Sequence, residues 1–127
     1  MWSSGWCNLS DARVKTCITD SALGLDFINK IQPREFTWNH PEEDNPNNGK
    51  RAVGVIAQEV AAVVASEENA ENLGAVAGSE DSSYFVSPTQ FTWPLINAVK
   101  ELSAENTALK ARLCDLETRL SALESNG

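Results

Sequence analysis

Cysteine is scarce and unpaired in this chain of 127 residues. Cys7, Cys17 and Cys114 are widely spaced and form no Cys-x-x-Cys pair. That pattern argues against a disulfide framework and against a structural zinc site, and reads as three reduced thiols. Histidine is scarcer still. His40 is alone, so a Ser-His-Asp arrangement would have to run through a side chain that precedes Pro41 in a polar loop. Positive charge is also short. Lys plus Arg total 10 against 18 Asp plus Glu, a formal charge of -8. That balance argues against a protein whose main task is gripping nucleic-acid phosphates or an anionic membrane. There is no long apolar run: the longest, Val60 to Ala65, falls far short of a bilayer. The opening Met1-Trp2-Ser3-Ser4-Gly5 has no basic region followed by an apolar core, so no secretory signal is expected in it.

What is present is the composition of a globular domain, 42% apolar and 22% charged, rather than of a disordered chain. The first nine residues scatter Trp2, Trp6 and Leu9 among Ser, Gly and Asn. They are expected to be the end of something lying upstream. Three parts are expected: residues 1–9 as leader, 10–87 as a globular domain, and 88–127 as a C-terminal helix. Asp11 to Thr19 reads as a short strand or extended piece. Asp20-Ser21 reads as the cap of a helix carrying Leu23, Phe27, Ile28 and Ile31 on one face and stopped by Pro33. Glu35 to Trp38 reads as a strand with Phe36 and Trp38 on the same face. The polar stretch His40 to Lys50, closed by Asn48-Gly49, reads as a hairpin connection. A strand over Arg51 to Ile56, a helix over Ala57 to Ala65, and brief strands at Leu73 to Ala77 and Tyr84 to Val86 follow.

The C-terminal stretch carries the clearest periodicity. Ser87-Pro88-Thr89-Gln90 has the form of a capping box, and Pro94 is expected to kink or restart the helix early. From there the apolar spacing is three-four. Val99, Asn106, Leu113 and Leu120 occupy a positions, and Leu102, Leu109, Leu116 and Leu123 occupy d positions. Four heptads with one polar break predict a coiled coil. Lys110, Glu117, Arg112 and Arg119 fall at e and g, which suits salt bridges between helices. A DNA-binding zipper needs a basic helix directly upstream, whereas Tyr84 to Leu102 contains one Lys and no Arg. The seam therefore serves assembly. Asn at one a position leans toward two strands, and Leu at most other core positions leaves the number open.

Ser10-Asp11-Ala12-Arg13-Val14-Lys15 places a hydroxyl and an amine five positions apart, a spacing that by itself reads as readily as Ser10 or Asp11 capping a turn with Arg13 and Lys15 on a solvated strand face. A serine is a weak nucleophile until a base takes its proton. Lysine can be that base when its surroundings favour the free amine, and Arg13 is a candidate cationic neighbour, with Asp11 acting in the opposite sense. Spacing alone does not bring the two together. Five positions along a strand point to opposite faces, and along a helix lie about 140° apart. The chain must bend between them, or Lys15 must come from a neighbouring copy.

Five blocks, in order, resemble one family. They are Ser10-Asp11-x-Arg13-x-Lys15 followed by Ile18; Ile31-Gln32-Pro33; Phe36-x-Trp38; Val53-Gly54-Val55-Ile56-Ala57-Gln58-Glu59-Val60; and Ala98-Val99-Lys100-Glu101-Leu102. Together they resemble the C-terminal intramolecular chaperone auto-processing domain of phage tailspikes, tail fibres and endosialidases. The resemblance covers Leu9 to about Leu123. It departs where Val86-Ser87-Pro88 replaces an Asp-Tyr pair before the last helix. It implies an α+β fold of short strands and two helices followed by a long helix in a trimeric coiled coil. It implies a chaperone that holds three chains of an upstream fibre in register, then cuts the Leu9-Ser10 bond with Ser10 as nucleophile and Lys15 as base. No metal or cofactor is implied. The implied partners are a homotrimer and the upstream fibre of the same polypeptide, with no nucleic acid and no membrane. The implied setting is the host bacterial cytoplasm during virion assembly, the fibre staying in the virion tail and this domain being released. The competing expectation is an uncleaved trimeric tip or host-binding module of a fibre; a plain coiled-coil adaptor without chemistry is a third.

Overall fold

The computed structural model describes residues 8–126. The expectations resting on Trp2, Trp6 and Cys7 lie outside the described residues.

The described chain opens with a single 3-10 turn, Ala12–Val14, where a strand or extended piece was expected. The reason is local: the Asp11 side chain accepts the Arg13 backbone N–H and bends the chain before it can extend. The first α-helix, α1, spans Leu25–Lys30 and starts later than Asp20-Ser21 suggested. Ser21 Oγ accepts from Leu23 N at 3.3 Å, but Gly24 is the N-cap residue and makes no side-chain cap. The helix ends before Pro33, as that residue's missing donor requires.

Strands β1 (Arg34–Thr37) and β2 (Arg51–Gly54) form the expected antiparallel hairpin, with Phe36 facing Ala52 and Thr37 facing Arg51. The connection closes on Gly49 at φ 85°, a left-handed conformation that suits glycine. Asn48 organises the loop. Its Oδ1 accepts from His40 N, and its Nδ2 donates to the carbonyls of His40 and Glu42. Phe36 and Trp38 meet edge to face at 4.9 Å, and His40 stacks on Trp38 at 5.0 Å. Helix α2 (Ala57–Ser66) follows, then a 3-10 turn at Ala70–Leu73 and a second two-stranded antiparallel sheet of β3 (Val76–Ala77) and β4 (Phe85–Val86).

The chain then runs through a 3-10 turn, Pro88–Phe91, into one long helix, α3, from Thr92 to Asn126. The capping box does not form. Ser87 makes no side-chain cap, and Gln90 Nε2 instead donates to Leu73 O at 2.7 Å, tying the turn to the core. Pro94 falls in the first turn of α3, where a missing N–H costs nothing, and it is buried.

The core is small. Leu23, Phe27, Ala70, Leu73 and Ala75 are buried together, with Ile28, Ile31, Val63, Val64 and Phe91 packed around them. Phe27 is 1% exposed and lies 6.4 Å from the Phe91 ring. The start of α3 packs on α1, and Ala98 is buried in that contact. Beyond it α3 runs free of the globular part. Val99, Leu102, Leu109, Leu113, Leu116, Leu120 and Leu123 are all half or more exposed in the single chain. No helix among the described residues is long and apolar enough to cross a membrane.

Candidate active site

The bend at Ala12–Val14 brings Ser10 and Lys15 together within one chain. Val14 N donates to Asp11 O and Lys15 N to Ala12 O, both at 3.1 Å, so the chain folds back by one tight turn. Lys15 resumes an extended conformation at φ -125° and ψ 147°. Its Nζ then lies 2.7 Å from Ser10 Oγ, within one chain. That separation is within hydrogen-bond reach of a proton transfer between hydroxyl and amine.

The charges around this pair are organised differently from the sequence expectation. Arg13 is paired with Asp11 rather than standing as a lone cation. Its Nε donates to both Asp11 oxygens at 3.1 Å, and its Nη2 donates to Oδ2 at 2.7 Å. The Arg13 guanidinium, with its backbone N–H, holds the Asp11 carboxyl below its ordinary value, and Asp11 raises Arg13 in return. The two charges offset each other beside the Ser10–Lys15 contact. Ser10, Arg13 and Lys15 are all exposed, as are Leu9 and the bond that joins it to Ser10. A site open to water on this scale leaves an amine well hydrated, so chemistry there depends on whatever covers it.

Glu59 and His40 are occupied elsewhere. Glu59 takes a bidentate pair from Arg34, with Nε to Oε1 and Nη2 to Oε2 both at 3.0 Å, and this holds its carboxyl below the ordinary range. His40 is held in the hairpin loop against Trp38. Cys17 is exposed and adopts φ 53° just beyond the turn, and Cys114 is exposed on α3. Lys30 pairs with Glu67, joining α1 to the end of α2.

Sequence reasoning passed over Asn97 and Glu101. Both lie on α3 and reach back to the segment ahead of α1. Asn97 Nδ2 donates to Ser21 O at 3.1 Å and to Leu23 O at 2.8 Å, while Glu101 Oε2 accepts from Leu25 N at 3.0 Å. In heptad terms they fall at f and c, on the side away from the a and d seam. The seam residues Val99, Leu102, Asn106, Leu109, Leu113, Leu116, Leu120 and Leu123 line one side of α3, as the heptads require. Within the chain, Arg119 approaches Asp115 at 3.9 Å.

Residues 10–69 match the family model for the chaperone of endosialidase. The match begins at Ser10 and includes the turn, α1, the hairpin and α2. No curated protein and no solved structure matches the chain. The family's name carries the intramolecular chaperone role in general and a peptidase class.

Proposed function

We propose that this domain trimerises an upstream phage fibre or tailspike, holds its chains in register, and releases itself by one autoproteolytic cut before Ser10. The observation that carries the reading is the 2.7 Å contact between Lys15 Nζ and Ser10 Oγ at the first residue of the family match. The free amine of Lys15 takes the Ser10 hydroxyl proton as Oγ attacks the Leu9 carbonyl carbon. The Leu9–Ser10 C–N bond breaks, and the proton passes from the ammonium to the departing Ser10 nitrogen. The Leu9 acyl group is now an ester on Ser10 Oγ. Water attacks that ester, Lys15 takes one water proton and returns it to the departing Ser10 Oγ, and the Leu9 acid so formed loses its remaining proton to solvent as a carboxylate. No metal or cofactor enters these steps.

Assembly supplies what the single chain lacks. The seam on α3 is self-complementary and exposed, and covering it is worth on the order of 1–2 kcal/mol for each apolar position. Its partners are two further copies of this chain, which brings three upstream fibres together. The exposed Ser10–Lys15 pair gains a drier setting only when neighbouring chains pack over it, so the cut follows correct assembly. On this reading the work is done in the host bacterial cytoplasm during virion assembly, and the fibre goes on to the virion tail. The test is the intact mass of the chain followed over time. The fragment beginning at Ser10 is expected from the wild type and from no Ser10→Ala or Lys15→Arg chain, because a guanidinium stays protonated and cannot serve as the base. An intact wild-type mass in the assembled state would overturn self-cleavage and favour an uncleaved fibre tip.

A further inference from the structure

We propose that Asp11 is the positioning residue for the cut: its carboxylate builds the turn that delivers Lys15 to Ser10. The inference rests on the reading of Ser10 and Lys15 as nucleophile and base.

A straight strand would separate residues five positions apart by about 16 Å, well beyond the reach of a lysine stem. The contact therefore needs the 3-10 turn, and the turn has little else to hold it. It contains no buried residue. One isolated turn of three residues is not stable in water on backbone hydrogen bonds alone. Asp11 supplies the missing constraint twice. Oδ1 accepts the Arg13 backbone N–H at 2.9 Å, which fixes the backbone of the turn. The same carboxylate then grips the Arg13 guanidinium as a fork, which fixes the side chain that the turn projects. An exposed ion pair of this kind adds little to global stability. Its effect is confined to the geometry between Ser10 and Lys15. Asp11 touches neither the scissile bond nor the reacting atoms, so its action is through Lys15.

Two roles for Asp11 predict opposite outcomes. As a local charge alone, Asp11 favours protonated Lys15, and removing it would quicken the cut and move the pH–rate profile toward acid. As a positioning residue, its removal slows the cut at every pH, because a misplacement near 1 Å costs about a hundredfold. The experiment follows the intact mass of the full 127-residue chain from neutral to alkaline pH for wild type, Asp11→Ala, Asp11→Asn and Asp11→Ala/Arg13→Ala, with Ser10→Ala as reference. We expect about a hundredfold loss in Asp11→Ala that raising the pH does not restore. Asp11→Asn keeps an oxygen for the Arg13 N–H and loses the fork, so its loss is smaller, about tenfold. The double variant removes both charges together and stays as slow as Asp11→Ala. Helicity and unfolding midpoint stay at wild-type values throughout. A wild-type rate in Asp11→Ala, recovery at high pH, or recovery in the double variant would overturn the proposal while leaving the dyad intact. Cutting by Ser10→Ala, or none by the assembled wild type, would overturn the dyad and this proposal together.

Discussion

Glu101 caps the first amide of α1 from 76 positions away: its Oε2 accepts from Leu25 N at 3.0 Å. The helix that carries the exposed a and d stripe is thus the helix that finishes the globular fold. The contact needs close approach. A Cβ on Gly24 would meet Glu101 Oε1 at 2.3 Å and Asn97 Cβ at 3.2 Å, so a side chain there pushes the flexible Glu101 carboxylate off the cap. Removing a helix cap costs about 1 kcal/mol. Glu101→Ala and Gly24→Ala are each expected to lower stability by about that amount in urea titrations. The double variant is expected to fall short of their sum, because Gly24→Ala already displaces the carboxylate. Full additivity would show that the two act separately.

Phe27 is the side chain on which the small core depends. It is 1% exposed and packs among Leu23, Leu73 and Phe91. Phe27→Ala is expected to cost about 3–5 kcal/mol, much of the stability of a domain this size. The measurement is the denaturant midpoint of the assembled chain. A loss below about 1 kcal/mol would place the main core elsewhere.

The Asp11–Arg13 pair sets an acid limit for the turn. Arg13 holds the Asp11 carboxyl below its ordinary value of 3.8 in the folded chain. A depressed carboxylate contributes above its unfolded value and loses that contribution as pH falls through its folded value. The turn is therefore expected to persist from neutral pH down to about 4 and to loosen below it. NMR titration of the Asp11 carboxyl, read together with exchange of the Arg13 amide, checks this. Loosening that starts well above pH 4 would contradict the sign.

The seam is separable from the fold. Leu109 and Leu116 are 60% and 55% exposed in the single chain and lie beyond the contact with α1. Leu109→Ser/Leu116→Ser is expected to abolish trimers in light scattering and to slow processing, while the α1, hairpin and α2 region stays folded. A trimer mass or a wild-type processing rate in this variant would show that another surface assembles the chains. A dimer mass for the wild type would give the seam to two strands, as Asn106 leans.

The hairpin and α3 were legible because each has a short-range signal: Asn48-Gly49 for the turn, heptads for α3. Type and spacing alone did not single out Ser10 and Lys15, which came from the family resemblance, and their contact depends on a three-residue turn too short to leave a periodic trace. The errors share a physical cause. Asp20-Ser21 looked like a cap because the real cap, Glu101, comes from the other end of the chain. Gln90 looked like half of a capping box because its true acceptor, Leu73 O, belongs to the core. Arg13 looked available to Lys15 because a salt bridge to a residue two positions away carries no pattern in the sequence.

The central claim is that Ser10 Oγ carries the Leu9 acyl group on the way to the cut, and hydroxylamine capture tests it most directly. The assembled wild-type chain is incubated with hydroxylamine and the released residues 1–9 are weighed. The account predicts a peptide ending in a Leu9 hydroxamate, formed at the expense of the free acid, and no released peptide from Ser10→Ala. Release as the free acid alone at saturating hydroxylamine, or hydroxamate from the Ser10→Ala chain, would contradict it.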